Sequence, residues 1–144
     1  MFSKACEYGI KATIYIAEKS KDGYRVSLKD IAHETNSPVA FTAKILQILA
    51  KNNIVNSLKG PTGGFEIDLN RMAQVTLDQI VAAIDGDKIY KGCGLGLSEC
   101  SDTKPCPVHE KFAKVREELK SMLESTSIYE LSESTKKGLT YLKI

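Results

Sequence analysis

The chain has 144 residues and a formal net charge of +2 at pH 7, enough for one domain with a core, or for a small domain plus an oligomerisation segment. A charge this close to neutral excludes a strongly basic nucleic-acid-binding composition, although it leaves a local basic face possible. No stretch has the length and hydropathy of a signal peptide or a membrane span, so we expect a cytoplasmic protein without a membrane partner.

The first third of the chain predicts helices with clear boundaries. Residues 4–20 carry an apolar stripe at helical spacing, and residues 24–26 follow as a short candidate strand. Ser27 is placed to cap a second helix. That helix ends at Asn36, because asparagine tolerates the left-handed backbone of a sharp turn.

A third helix follows at once, with Ser37 as its predicted cap and Pro38 at its first position. Its predicted apolar face comprises Phe41, Ile45, Ile48 and Leu49, and its predicted outer face comprises Ala40, Lys44, Gln47 and Lys51. Two short helices joined by a tight turn, the second with a small and polar outer face, indicate a helix-turn-helix.

A glycine-rich hairpin is predicted next. Residues 54–59 and 65–69 have the pattern of strands, and residues 60–64 form the tip between them. A helix-turn-helix followed by a hairpin is the winged-helix order, so we expect the chain to bind double-stranded DNA. Gly63, Gly64 and Lys59 would bring the wing close to phosphates or a minor groove.

The second half predicts a further helix, a cysteine loop and a long helix. Thr76 and Gln79 form a candidate capping box for a helix that ends near Gly86. Pro107 would open the long helix, whose apolar residues follow a 4-3-4-3 spacing: Val108, Phe112, Val115, Leu119 and Met122. This seam favours a homodimer, the alternative being packing against its own domain. A last short helix is predicted near residues 127–137.

The predicted fold is therefore mainly α with a small β-hairpin wing, a winged helix-turn-helix joined to a long dimerisation helix. We expect three units: a DNA-binding domain at 1–85, a cysteine loop at 86–106, and the dimerisation helix with the short C-terminal helix at 107–144.

Three cysteines within fourteen residues, Cys93, Cys100 and Cys106, are the candidate metal ligands. Their spacing is too wide for a Cys-x-x-Cys zinc knuckle and suits an iron–sulfur cluster. Zinc bound with His109 has the right number of ligands and stays open. A disulfide, a metal-free thiol switch and idle thiols are further alternatives. Cys6, on the first helix, is expected to be a small core residue.

Several segments together resemble the Rrf2 family of bacterial transcription regulators, including its iron–sulfur sensors of the IscR and NsrR type. They are the N-terminal Phe2-Ser-Lys-Ala-Cys-Glu-Tyr-Gly-Ile-Lys-Ala, the stretch from Ser37-Pro38 to Ala43-Lys-Ile-Leu-Gln, the wing Gly60-Pro-Thr-Gly-Gly-Phe, and the cysteine loop. The resemblance covers about the first 125 residues. The intervals between the cysteines are six and five residues, whereas five and five are usual in the family.

This resemblance implies a winged-helix dimer on a palindromic operator, with a cluster, [4Fe–4S] rather than [2Fe–2S], held by Cys93, Cys100 and Cys106. It implies repression that is relieved when the cluster is lost or reacts with nitric oxide or oxygen, or that follows cluster supply. Two residues match the positions of a fourth ligand in the family: Glu7, reaching the cluster of the partner subunit, and His109. Of the two, we expect Glu7 to be the ligand of a [4Fe–4S] sensor, with His109 as the alternative.

The hypothesis is therefore a cluster-dependent transcriptional repressor that is not an enzyme. Its expected base readers are Thr42, Lys44 and Gln47, its phosphate contacts Lys51 and Lys59, and its wing tip Gly63 and Gly64. The alternatives are a regulator that uses zinc or bare thiols and, less favoured, an iron–sulfur electron carrier or enzyme. The latter would need a second cofactor signature or a nucleophile–base pair, and neither is found in the sequence.

Overall fold

The computed structural model describes residues 1–143. In that range it has six α-helices and one two-stranded antiparallel sheet. The elements are α1 (Lys4–Lys21), α2 (Leu28–Thr35), α3 (Val39–Lys51), β1 (Asn56–Leu58), β2 (Gly64–Glu66), α4 (Leu77–Asp85), α5 (His109–Ser125) and α6 (Ile128–Lys136). A single 3-10 turn, Lys88–Tyr90, precedes the cysteine loop. The fold class predicted from the sequence, mainly α with a hairpin wing, is confirmed.

Helix α1 is the centre of the core. Ser3 caps it by accepting a hydrogen bond from the backbone N–H of Cys6 at 3.0 Å. Four helices, α2, α3, α4 and α6, pack against α1. Its buried residues include Ile14, Ile16 and Ala17, so the apolar stripe seen in the sequence is the face around which the domain assembles.

The helix-turn-helix forms as predicted except at one cap. Ser27 accepts from the N–H of Asp30 at 3.1 Å, and Asn36 adopts a left-handed conformation with φ of 51°. Helix α3 begins at Val39, so Pro38 lies at the cap position and not inside the helix. The hydroxyl of Ser37 does not cap the helix; it is hydrogen-bonded to the hydroxyls of Thr35 and Thr42.

The wing is the hairpin β1–β2, in which Asn56, Ser57 and Leu58 pair with Glu66, Phe65 and Gly64, respectively. The strand predicted at 24–26 is a single bridge, in which Val26 exchanges two backbone hydrogen bonds of 3.1 and 2.8 Å with Phe65. This bridge ties the wing to the segment between α1 and α2. The hydroxyl of Ser20 accepts from the N–H of Ile67 at 3.0 Å, which anchors the chain leaving β2.

Two helix starts differ from the sequence-based expectation. The capping box of α4 does not form: the hydroxyl of Thr76 donates to Asp78, and the side-chain amide of Gln79 donates to the carbonyl of Gln74. Helix α5 begins at His109, two residues after Pro107. A chain reversal precedes it, closed by the hydrogen bond from His109 N to Cys106 O at 3.0 Å.

The predicted C-terminal unit, residues 107–144, divides into two parts. Helix α6 returns to the N-terminal domain and packs on α1, with an ion pair between Lys21 and Glu133 at 2.7 Å. The N–H of Ile128 also donates to Val75 O at 2.8 Å. Helix α5 therefore spans from the cysteine loop to a C-terminal helix that belongs to the main core. No helix within residues 1–143 is long and apolar enough to cross a membrane.

Candidate DNA-binding face and cysteine site

The outer face of α3 presents small and polar groups to solvent. Val39, Ala40, Lys44, Gln47 and Lys51 are all exposed. Neither Lys44 nor Lys51 forms an ion pair within the described residues. The second helix of a helix-turn-helix reads base edges with its N-terminal residues, so this surface has the shape and free donors of a recognition helix.

Thr42 is not part of this face. Its side chain is only 2% exposed, and its hydroxyl donates to Pro38 O at 2.8 Å while it shares a hydrogen bond with Ser37. Thr35 continues this chain of hydroxyls to Ile31 O at 2.8 Å. The expectation that Thr42 reads bases is therefore corrected: the residue stabilises the turn between α2 and α3.

The error arose from the rotation assigned to α3. The buried positions are Thr42, Ile45, Leu46 and Leu49, whereas Phe41 and Ile48 are half-buried. The true arc has the spacing i, i+3, i+4, i+7 starting at Thr42. Ile45, Leu46 and Leu49 carry this spacing in the sequence, but a threonine at its first position is compatible with either face of the helix.

The tip of the wing is held in place by a hydrogen bond within its own backbone and by the side chain of Arg25. The N–H of Gly63 donates to Gly60 O at 3.0 Å, and a Cβ at Gly63 would lie 2.2 Å from Leu58 O. Gly64 has φ of +133°, a conformation that other residues rarely adopt. Both glycines therefore have a structural reason to be present, while Lys59 is exposed beside them.

Arg25 was not singled out in the sequence. Its Nε donates to Glu66 at 3.1 Å and its Nη1 donates to Thr62 O at 3.1 Å, so one guanidinium braces both the second strand and the tip of the wing. The signal available in the sequence was its position in the candidate strand at residues 24–26, which contacts the wing in the structure.

Two of the three loop cysteines are close neighbours. The sulfur atoms of Cys93 and Cys106 are 3.8 Å apart, and the N–H of Leu95 donates to Cys93 Sγ at 3.4 Å. Backbone N–H groups, that of Leu97 first and that of Leu95 next, lower the pKa of the Cys93 thiol. The tight loop thus favours the thiolate, which is the form that binds metals.

The third cysteine contacts the beginning of α5. Cys100 Sγ lies 3.4 Å from His109 Nδ1, and His109 Nε2 lies 2.9 Å from a carboxylate oxygen of Asp102. A carboxylate on one ring nitrogen favours N–H there and leaves the other nitrogen with a lone pair, directed at Cys100. The two ring nitrogens thus have the roles seen in metal-ligating histidines.

The loop therefore offers its donors as two pairs, Cys93 with Cys106 and Cys100 with His109. Within residues 1–143 no three metal-binding side chains converge on one point. Three thiols and an oriented imidazole have the chemistry that an iron–sulfur cluster requires, and a cluster would draw the two pairs around one centre. An open depression of about 690 Å³ lies beside Cys106 and His109, so the site is accessible from outside.

The other candidate ligand, Glu7, lies on the exposed side of α1. Its carboxylate pairs with Lys4 at 3.3 Å and makes no hydrogen bond or ion pair with the cysteine loop in the described chain. Cys6 next to it is fully buried, as expected of a core residue. Burial, followed by the nearby carboxylate of Asp85, raises the pKa of the Cys6 thiol to about 12. Cys6 is thus separated from the loop cysteines in both position and chemistry.

The seam of α5 is largely uncovered in the single chain. Val115 is 58% exposed and Met122 is 45% exposed, whereas Leu123 is fully buried in the core. Phe112 is 38% exposed, although its ring also packs against the loop, where a Cβ on Gly94 would lie 2.4 Å from it. Val108 and Leu119 are half-buried. The exposed apolar row indicates a surface that another protein chain covers.

Comparisons with known sequences agree on one family. Residues 2–134 match the model of the Rrf2 family, described as iron-dependent transcriptional regulator. A protein of Aquifex aeolicus named as an HTH-type transcriptional regulator is 29% identical over 141 residues, 96% of each chain. The HTH-type transcriptional regulator IscR of Yersinia pseudotuberculosis is 26% identical over 124 residues, which are 86% of this chain and 74% of that protein.

Solved structures show the same fold. CymR (YrzC), the global cysteine regulator of B. subtilis, has a TM-score of 0.74 at 22% identity, with 92% of this chain and 96% of that chain covered. IscR of T. potens has a TM-score of 0.71 at 18% identity, with 98% and 92% covered. The relatives are named as transcriptional regulators, which confirms the expectation that the chain is not an enzyme.

Proposed function

Because the chain belongs to the Rrf2 family of transcriptional regulators, we propose that it is a dimeric repressor controlled by an iron–sulfur cluster. The cluster would be held by Cys93, Cys100 and Cys106. The observation that carries the proposal is the pairing of all three thiols with a sulfur or imidazole partner: Cys93 with Cys106 at 3.8 Å, and Cys100 with His109 at 3.4 Å. A loop without a ligand would have little reason to arrange its thiols in this way.

The recognition surface in this proposal is the outer face of α3 with the wing beside it. Lys44 and Gln47 are the base readers, since both are exposed on the face that enters a major groove. Lys51 and Lys59 neutralise phosphates, and Gly63 and Gly64 allow the wing backbone to approach a minor groove. A symmetric dimer joined through α5 would place two such surfaces on a palindromic operator.

The geometry supports His109 as the fourth ligand. Asp102 orients its ring, and the remaining nitrogen faces Cys100 within the same chain. Glu7 of the partner subunit is the alternative, since its carboxylate is exposed and its only ion-pair partner in the described chain is Lys4. Four protein ligands can hold either a [2Fe–2S] or a [4Fe–4S] cluster, and we propose the [4Fe–4S] type that the family resemblance implies. A bound cluster would supply a redox-active group that reacts with nitric oxide or oxygen.

The protein's own contribution is to hold this site at the start of α5. The Cys106 carbonyl accepts from His109 N, so the last cysteine is tied directly to the first turn of the helix that bears the seam. A movement of the loop would therefore also move the N-terminal end of α5. This connection is the route by which cluster loss would alter the spacing of the two DNA-binding domains.

The test is anaerobic purification followed by a gel shift with promoter DNA. We expect a brown protein whose visible absorption and iron and sulfide content are lost in Cys100→Ala and kept in the matched control Cys6→Ala. DNA affinity should differ between the holo protein and the cluster-free protein. A colourless protein under strictly anaerobic conditions would contradict the proposal.

A second candidate is a regulator that uses zinc or bare thiols. The specific observation in its favour is that Cys93, Cys106, Cys100 and His109 also make up a donor set of the kind that zinc takes. Stoichiometric zinc in the colourless anaerobic protein, lost in Cys100→Ala, would establish it. Sulfide and iron in the holo protein would exclude it.

A further inference from the structure

We propose that Arg116 is a positioning residue for the cysteine site, which fixes the loop to α5 and places a positive charge against the sulfur centre. The inference rests on the proposed function. It concerns how that site is held and tuned, and it adds a residue outside the loop to those that determine the properties of the cluster.

The geometry is a two-point clamp. Arg116 Nη1 donates to Gly92 O at 2.5 Å, just before Cys93, and Nη2 donates to Cys100 Sγ at 3.4 Å. The side chain thus contacts the loop on both sides of its first cysteine interval, although it lies far along the chain. Arg116 makes no ion pair with a carboxylate within the described residues.

Three residues of α5 share this loop-facing side. His109, Phe112 and Arg116 are three and four residues apart, so they lie on one face of the helix. His109 contacts Cys100, Phe112 packs against Gly94, and Arg116 bridges to Gly92 and Cys100. Phe112 also belongs to the apolar seam, so the two faces adjoin. The loop therefore contacts α5 directly beside the proposed dimer surface.

The charge has a predictable consequence for a bound cluster. Hydrogen bonds to the sulfur ligands and nearby positive charge stabilise the more reduced, more negative form, and so raise the reduction potential. Arginine suits this position because its planar fork donates to two separate acceptors at once. Lysine carries the same charge, but its three N–H donors share one nitrogen and do not form a planar fork.

The experiment compares Arg116→Met and Arg116→Lys with Lys120→Met, a matched loss of an exposed cation on the same helix, away from the depression beside Cys106 and His109. The first readout is the midpoint potential of the holo protein. We expect a more negative potential in Arg116→Met, recovery of most of the shift in Arg116→Lys, and no change in Lys120→Met. Circular dichroism of each variant confirms that α5 is folded.

The second readout uses the cluster-free protein and is limited trypsin cleavage at Lys91, which directly precedes the clamped residue Gly92, followed by mass spectrometry. Loss of the clamp should speed cleavage about tenfold in Arg116→Met. Arg116→Lys should be cleaved nearly as fast, because lysine lacks the two separate nitrogen donors with which arginine contacts Gly92 and Cys100. If Arg116→Met matches the wild type in both readouts, the inference is wrong. If the wild type holds no cluster but the cleavage result stands, the proposed function fails and the clamp remains.

Discussion

The sulfur atoms of Cys93 and Cys106 lie 3.8 Å apart although thirteen positions separate the two residues in the chain. The loop between them is irregular, and it closes against α5 through the ring of Phe112 and the guanidinium of Arg116. Closing a loop of this kind costs conformational entropy, which the contacts with the helix offset. The proposed cluster site and the proposed dimer helix are therefore one structural unit.

The fourth ligand can be identified by paired substitutions. We expect His109→Ala to bind a cluster with altered visible and electron paramagnetic resonance spectra, because its ring nitrogen faces Cys100 at 3.4 Å. Asp102→Asn should weaken cluster retention by about 10-fold or more, since it removes the carboxylate that orients the ring. Glu7→Gln should leave both properties at the wild-type level. A spectral change in Glu7→Gln and not in His109→Ala would assign the ligand to Glu7 of the partner subunit.

A substitution at Thr42 should lower the stability of the fold, whereas a substitution at Lys44 should lower its affinity for DNA. Thr42→Val removes two hydrogen bonds in the turn and should lower the free energy of unfolding by about 1–2 kcal/mol, measured by urea titration. Lys44→Ala should leave stability unchanged and weaken operator binding. If Lys44 contacts a phosphate in addition to bases, the slope of log K against log salt should fall by about 1. Wild-type DNA affinity in Lys44→Ala would remove α3 from the proposed interface.

Because of Cys6, the free energy of unfolding should decrease at alkaline pH. Burial raises its pKa in the folded state from 9.0 to about 12, so the folded chain keeps a proton that the unfolded chain releases above pH 9. The contribution of this thiol is therefore complete below pH 9 and declines as the pH rises from 9 to 12.

The measurement is the difference in unfolding free energy between wild type and Cys6→Ala, in the cluster-free protein under reductant. It should be constant below pH 9 and shift in favour of Cys6→Ala above it. Parallel stability curves for the two proteins up to pH 11 would show that the Cys6 thiol is not held in a raised-pKa environment.

The seam of α5 should control the oligomeric state. Val115→Glu places a charge in the centre of the exposed apolar row and should convert a dimer to a monomer in sedimentation experiments. Ser121→Glu introduces the same charge at an exposed polar position of the same helix and should remain dimeric. Dimers of equal stability in both variants would place the interface elsewhere.

Much of this protein follows from local sequence signals. The cap at Ser27, the left-handed turn at Asn36 and the helical spacing of α1 are decided by residues within a few positions of each other, so the sequence alone predicts them. The spacing of the three loop cysteines likewise indicates a ligand site, because thiols concentrated in one short segment are natural metal donors. The chain order of helix pair and hairpin determines the winged-helix class.

The tertiary structure decided what depends on distant contacts. The sequence could not assign Thr42 to the interior, because a threonine on α3 is equally compatible with either face until Ser37 and the core fix the rotation. Nor could it pair Cys100 with His109 and Arg116, because an irregular loop has no periodicity that predicts where its side chains lie. Local spacing in the sequence determines which helices and strands form. The packing of those elements against one another determines which side chains meet, and at this site it brings the loop cysteines together with His109 and Arg116.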